Sequence, residues 1–171
     1  MTVHRFALPS RARRPRGLRS LALLGASALA VGTAAAIGGL AAGRAAPGYY
    51  ETLDRPSWSP PAGVFSPVWS VLYVSMAGAA WLVAREGLDR DDVRLALGLF
   101  GAQLALNAAW TPIFFGAQRP GLAAVDIVAL LLVLAATVAA FWRVRPLAGA
   151  LMVPYLCWVA FATALNLAIA L

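Results

Sequence analysis

Aromatic and amide side chains recur at helical spacing in three apolar stretches of this 171-residue sequence. Trp69 and Tyr73 stand four apart, Asn107, Trp110 and Phe114 are spaced by three and four, and Trp158, Ala162 and Asn166 repeat at four. Residues at these intervals share one face of a helix. A span that meets lipid needs only aliphatic side chains, so each stripe calls for a reason. Converging stripes would line a pocket with flat stacking walls and a few hydrogen-bonding groups, suited to a large, planar, mostly apolar ligand. Ala162, one turn from Trp158, would leave room there. The competing reading is structural: Trp and Tyr mark the membrane–water interfaces, and Asn bridges neighbouring spans.

Other chemistry has little to work with. Asp126 is the one acid well inside an apolar segment. It could carry a proton or cation, but no second ionisable group accompanies it at that depth, and a buried hydrogen bond to a neighbouring element is the favoured expectation. The single histidine, His4, lies in the N-terminal tail, so no Ser-His-Asp arrangement can form. The single cysteine, Cys157, excludes an intrachain disulfide, and zinc or iron–sulfur ligation lacks a ligand set. Phosphate-cradling loops, dinucleotide fingerprints, HExxH and nucleophile elbows do not occur. With no acid–base pair available, hydrolytic catalysis is not expected.

The elements that must position these side chains follow from composition. Hydrophobic residues make up 61% of the chain and charged residues 12%, whereas soluble domains are nearer half and a quarter. Five apolar segments, 18–42, 64–84, 95–115, 121–142 and 147–171, each approach the ~20 residues that cross hydrocarbon. An all-α membrane protein, a five-transmembrane-helix bundle, is the predicted fold. Residues 1–17 form an arginine-rich cytoplasmic tail and 18–171 the transmembrane domain. A basic run before an apolar stretch also describes a secretory signal, but 18–42 is long for one, and a retained helix is expected. Between the first two segments, 43–62 reads as a long loop stiffened by Pro56, Pro60 and Pro61 and carrying Trp58; long loops are often functional. The connectors 85–94, 116–120 and 143–146 are short. Gly98 with Ala102, and Gly101 with Ala105, would allow close helix approach, within the chain or in a dimer.

All 14 basic residues are arginine, which with the abundant Ala and Gly reads as the usage of a GC-rich bacterial genome. Arg5, Arg11, Arg13, Arg14, Arg16 and Arg19 precede the first segment without an acid among them. A nucleic-acid contact is one reading of such a run. The apolar sequence that follows at once favours a positive-inside anchor and no nucleic-acid partner. With a cytoplasmic N-terminus, Arg85, Arg90, Arg94, Arg143 and Arg145 also fall inside, leaving Arg44, Arg55 and Arg119 outside. The expected location is therefore the bacterial plasma membrane, N-terminus cytoplasmic.

Three strings carry a family resemblance. They are Arg55-Pro-Ser-Trp-Ser-Pro-Pro-Ala-Gly-Val-Phe-Ser-Pro-Val-Trp-Ser-Val-Leu-Tyr73, Leu106-Asn-Ala-Ala-Trp-Thr-Pro-Ile-Phe-Phe-Gly116 and Pro154-Tyr-Leu-Cys-Trp-Val-Ala-Phe-Ala-Thr-Ala-Leu-Asn166. In order and spacing they resemble the tryptophan-rich sensory protein family, whose animal members are called translocator protein or peripheral benzodiazepine receptor. The resemblance covers about 17–171. It implies a five-helix bundle, usually a homodimer, with a pocket near the first loop for porphyrins, haem-related tetrapyrroles and synthetic isoquinoline or benzodiazepine ligands. By position Trp69 and Trp158 resemble the pocket tryptophans, Tyr73, Asn107, Trp110 and Ala162 further lining residues, and Trp58 a residue of the lid. No obligatory cofactor is implied. The roles implied are tetrapyrrole-dependent regulation, stress response and light-dependent porphyrin breakdown, in which Trp69 and Trp158 would share the radical chemistry. A membrane receptor or sensor ranks first, light-dependent oxidation second, and tetrapyrrole transport third, since five helices give no inverted repeat. The family's animal sterol pattern needs Tyr and then a base at the end of the last helix. Here Leu-Ala-Ile-Ala-Leu follows Asn166, so sterol binding there is not expected.

Overall fold

The computed structural model describes residues 16–170. Its helices are α1 (Arg16–Thr52), α2 (Phe65–Ala84), α3 (Asp91–Thr111), α4 (Pro120–Val144) and α5 (Pro146–Ala170). The expected tail, with His4, lies almost wholly outside the described residues. Five helices are long and apolar enough to cross a membrane, as the sequence predicts. Helix is what such a sequence must adopt: in lipid no water reaches the backbone, and a helix satisfies its peptide groups internally. Large aliphatic side chains such as Leu29, Val71, Val74 and Leu132 point outward. A soluble fold would bury them; this one uses hydrocarbon as their solvent.

Neighbour contacts close the bundle into a ring in the order α1–α2–α5–α4–α3 and back to α1. Its interior is filled by Met76, Val83, Leu134, Phe141, Met152 and Tyr155, all fully buried. Phe100 of α3 stacks on Phe141 of α4 at 5.6 Å. At the end of the bundle where α1 begins, the Trp81 indole N–H donates to the Ser20 carbonyl at 3.1 Å and Arg85 covers the Trp81 ring. Arg145 pairs with Glu86 at 2.7 Å, tying the α4–α5 connection to the end of α2.

The helix ends depart from the sequence reading in instructive ways. The expected loop 43–62 is helical as far as Thr52. Continuing the helix sets Tyr49 against Phe114 and Phe115, and Tyr50 against Phe65, at centroid distances of 6.1–6.5 Å. These tertiary contacts outweigh the local loop signal. The true loop is 53–61, followed by one 3₁₀ turn at Ala62–Val64. α3 begins four residues before the expected 95, because Asp91 and Asp92 in its first turn oppose the positive end of the helix dipole. Gly87 precedes it at φ +124°, a conformation that excludes a side chain without strain.

Two further features shape the two ends of the bundle. α3 runs on into a π-helical turn, Pro112–Gly116, closed by the Ala117 N–H on the Pro112 carbonyl at 2.8 Å. Such turns shift the register of the side chains that follow. α4 and α5 are joined by Arg145 alone, in extended conformation. A Cβ on Gly149 would lie 2.8 Å from the Trp142 Cα, so glycine is what lets this hairpin close. Pro154 sits inside α5, and in the turn before it the Ser75 hydroxyl donates to the Leu151 carbonyl at 2.6 Å. This hydroxyl ties α2 to α5 one residue beyond the Ala150 carbonyl, the i−4 group that Pro154 has no N–H to serve.

Of the two small-residue pairs, Gly101 and Ala105 line a groove against α1, while Gly98 and Ala102 are exposed on the outer surface. Cys157 is exposed on α5.

Candidate functional site

The three stripes converge. A cavity lies between α2, α3, α4 and α5, with Phe65, Trp69 and Tyr73 contributed by α2 and Asn107, Trp110 and Thr111 by α3. Ile127 and Leu130 of α4 and Trp158, Val159 and Ala162 of α5 complete the lining. Six of the seven expected residues are therefore brought together: Trp69, Tyr73, Asn107, Trp110, Trp158 and Ala162. Trp58 is not among them. It is 49% exposed and stands against Phe161 at 5.9 Å, a ring that also packs on Trp158 at 5.5 Å.

Ring geometry sets the walls. Trp69 stacks on Tyr73 at 5.2 Å and meets the edge of Tyr155 at 6.0 Å. Phe65 meets Trp158 edge-on at 5.8 Å, and Trp110 stacks on Phe114 at 4.9 Å. Offset and edge contacts at such distances are favourable for aromatic pairs. From α1, Gly38 comes close to Thr111 and to the Tyr73 hydroxyl, where an added Cβ would stand 3.3 Å from Thr111 Oγ1.

Both asparagines serve the structure. The Tyr73 hydroxyl donates to Asn107 Oδ1 at 3.3 Å, and Asn107 Nδ2 donates to the Tyr155 hydroxyl at 3.0 Å. One amide thereby joins α2, α3 and α5 beneath the cavity. Asn166 accepts the Trp110 indole N–H at 2.9 Å and donates to the Pro120 carbonyl at 3.0 Å, which sets the plane of Trp110 and holds the start of α4. The amides thus bridge helices, as the structural reading expects, while the stripes also face one cavity. The Trp158 indole N–H differs: it is buried with no hydrogen-bond partner among the described residues. A buried donor left unpaired costs free energy, and an acceptor on a bound molecule would relieve it.

The size of the cavity corrects one expectation. Its volume is about 40 Å³, against the roughly 300–1,000 Å³ of drug-sized ligand sites. The indole and phenyl rings have closed on one another, and the space enclosed does not admit a macrocycle. Asp126 supplies a second correction. The expected hydrogen bond is not made, and Oδ2 is buried without a partner among the described residues.

Sequence reasoning missed Phe65, although it stands four before Trp69 and extends that stripe by a turn. Tyr155 likewise sits three before Trp158. Ile127, Leu130 and Val159 gave no signal, since in a membrane span an aliphatic lining residue is indistinguishable from a lipid-facing one. Among the described residues no three of His, Cys, Asp and Glu come together.

Together the bundle and the cavity define an integral membrane protein of five helices built around an aromatic intramembrane site. Residues 26–171 match the TspO/MBR family, and the chain belongs to that family. It is 46% identical over 121 residues to the tryptophan-rich protein TspO of Chlorobaculum tepidum, covering 71% of this chain and 77% of that one. It is 47% identical over 119 residues to the human translocator protein, covering 69% and 70%. The tryptophan-rich sensory protein of Cereibacter sphaeroides is 43% identical over 119 residues, covering 69% and 72%.

Proposed function

We propose that this protein is a membrane receptor or sensor for porphyrins and related tetrapyrroles, acting in tetrapyrrole or stress regulation as a homodimer in a bacterial plasma membrane, with its N-terminus cytoplasmic. The observation that carries the reading is the meeting of Trp69 from α2 and Trp158 from α5 on one cavity, with an unpaired indole N–H among stacking walls. Flat walls with few polar groups favour a planar apolar body. Because the cavity is small, a macrocycle requires the rings that line it to move apart. No obligatory cofactor enters this reading; the tetrapyrrole is the ligand.

The test is titration of the detergent-solubilised protein with protoporphyrin, followed by tryptophan fluorescence. Saturable quenching is expected, weakened at least about tenfold in Trp69→Phe/Trp158→Phe, the scale of losing two large aromatic contacts. Linear, unsaturable quenching, or equal affinity in the double variant, refutes the proposal.

A second reading has its own support. Trp69 touches both Tyr73 and Tyr155, so oxidisable rings lie side by side next to the cavity. Light-driven oxidation of bound porphyrin by dioxygen would then draw on Trp69 and Trp158. Protein-dependent loss of porphyrin absorbance under light, abolished in the same double variant, distinguishes it from simple binding.

A further inference from the structure

A row of rings leads from the cavity to a cation. Trp158 meets Phe65 at 5.8 Å, Phe65 meets Tyr50 at 6.1 Å, and the Arg55 guanidinium lies 4.2 Å over the Tyr50 ring. The Tyr50 hydroxyl donates to the Pro60 carbonyl at 3.3 Å, which fixes this ring to the 53–61 segment.

Arg55 is the cation at the end of this row. Arg90, Arg94 and Arg145 are each paired with an acid; Arg55, like Arg85 over Trp81, instead lies over a ring and forms no ion pair among the described residues, although the exposed Glu51 and Asp54 are near it in sequence. A cation–π contact holds a guanidinium in place without neutralising it. Its planar fork remains free to take a carboxylate bidentately. The result is a row of edge-to-face rings that ends in a positioned guanidinium without an ion pair among the described residues.

We propose that Arg55 is an anion contact of the aromatic site, and that the ligand received there carries a carboxylate on its apolar body, which pairs with the Arg55 guanidinium at the outer rim. This rests on the porphyrin reading above and narrows it to acidic members of the class. Trp69, Tyr73 and Trp158 would then select for shape, and Arg55 for charge.

The experiment compares protoporphyrin, which bears two carboxylates, with its dimethyl ester, on wild-type protein and on Arg55→Gln and Arg55→Lys, all in detergent at two salt concentrations. Wild type is expected to bind the diacid more tightly than the ester, with the difference shrinking at high salt. Arg55→Gln should weaken the diacid by about three- to tenfold, as for an ion pair at a half-wet site. It should leave the ester within about twofold of wild type. Arg55→Lys should restore part of the preference. Equal losses for diacid and ester in Arg55→Gln would mean that the residue only shapes the loop, and would overturn the inference. So would an unchanged diacid affinity. In both cases the porphyrin reading survives, because the ligands still bind. If neither porphyrin binds wild type, both fall.

Discussion

Asn107 and Gln103 stand one turn apart on α3, and their side-chain amides have opposite fates. Asn107 is buried with both amide atoms engaged by Tyr73 and Tyr155. Gln103 is fully buried, and neither its Oε1 nor its Nε2 has a partner among the described residues. A satisfied polar group in a low-dielectric interior specifies the packing around it, while an unsatisfied one costs free energy. Asn107→Ala should therefore lower stability by about 1–3 kcal/mol, because it strands the Tyr155 hydroxyl as well as removing the amide. Gln103→Met, nearly isosteric and apolar, should raise it by a similar amount. Thermal unfolding of both variants in one detergent checks the opposite signs. Trp158 is the third case, an unpaired donor placed on a cavity rather than in a packed core.

At the scale of elements, the irregular segments govern the site. The π-helical turn Pro112–Gly116 brings Phe114 into the interior and Phe115 toward Tyr49 and Tyr50, so the C-terminal part of α1 becomes a wall for α3. At the other end, the α4–α5 hairpin closes on the Gly149–Trp142 contact and orients α5, which carries Trp158 and Ala162. Gly149→Ala places a Cβ against backbone, which cannot move aside as a flexible side chain would. The hairpin must spread, at a cost of about 1–3 kcal/mol, typical of overpacking. A lower thermal midpoint with unchanged helical content by circular dichroism is the expected result; an unaltered midpoint would show that the hairpin has slack.

For the whole molecule, the governing asymmetry is charge. Arg85, Arg90, Arg94, Arg143 and Arg145 gather at the end of the bundle that also receives the start of α1, and the aromatic site lies toward the opposite end. Positively charged connectors are retained on the cytoplasmic side, which would place the site in the outer half of the membrane. In a Cys157→Ala background, Ser57→Cys should react with a membrane-impermeant maleimide on intact cells. Asp89→Cys should react only after the membrane is opened. The reverse pattern would invert the topology and put the cavity on the cytoplasmic side.

The amino-acid sequence by itself determined that there are five spans, where each lies to within a few residues, and which faces of α2, α3 and α5 meet at the cavity. Those properties follow from local quantities: hydropathy over a window, and side-chain spacing against the 3.6-residue turn. What only the tertiary structure decided is how far the helices run and how much space they leave. Residues 43–52 are helical because Tyr49 and Tyr50 find rings on α2 and on the π-helical turn, partners distant in sequence. The aliphatic side of the cavity, Ile127, Leu130 and Val159, is set by which face of α4 and α5 turns inward. In a chain whose lipid-facing and core-facing residues are equally apolar, no pattern of hydropathy records that choice. The closed volume of the cavity is likewise a property of packed rings, and packing is a relation between segments that a linear order of residues does not contain.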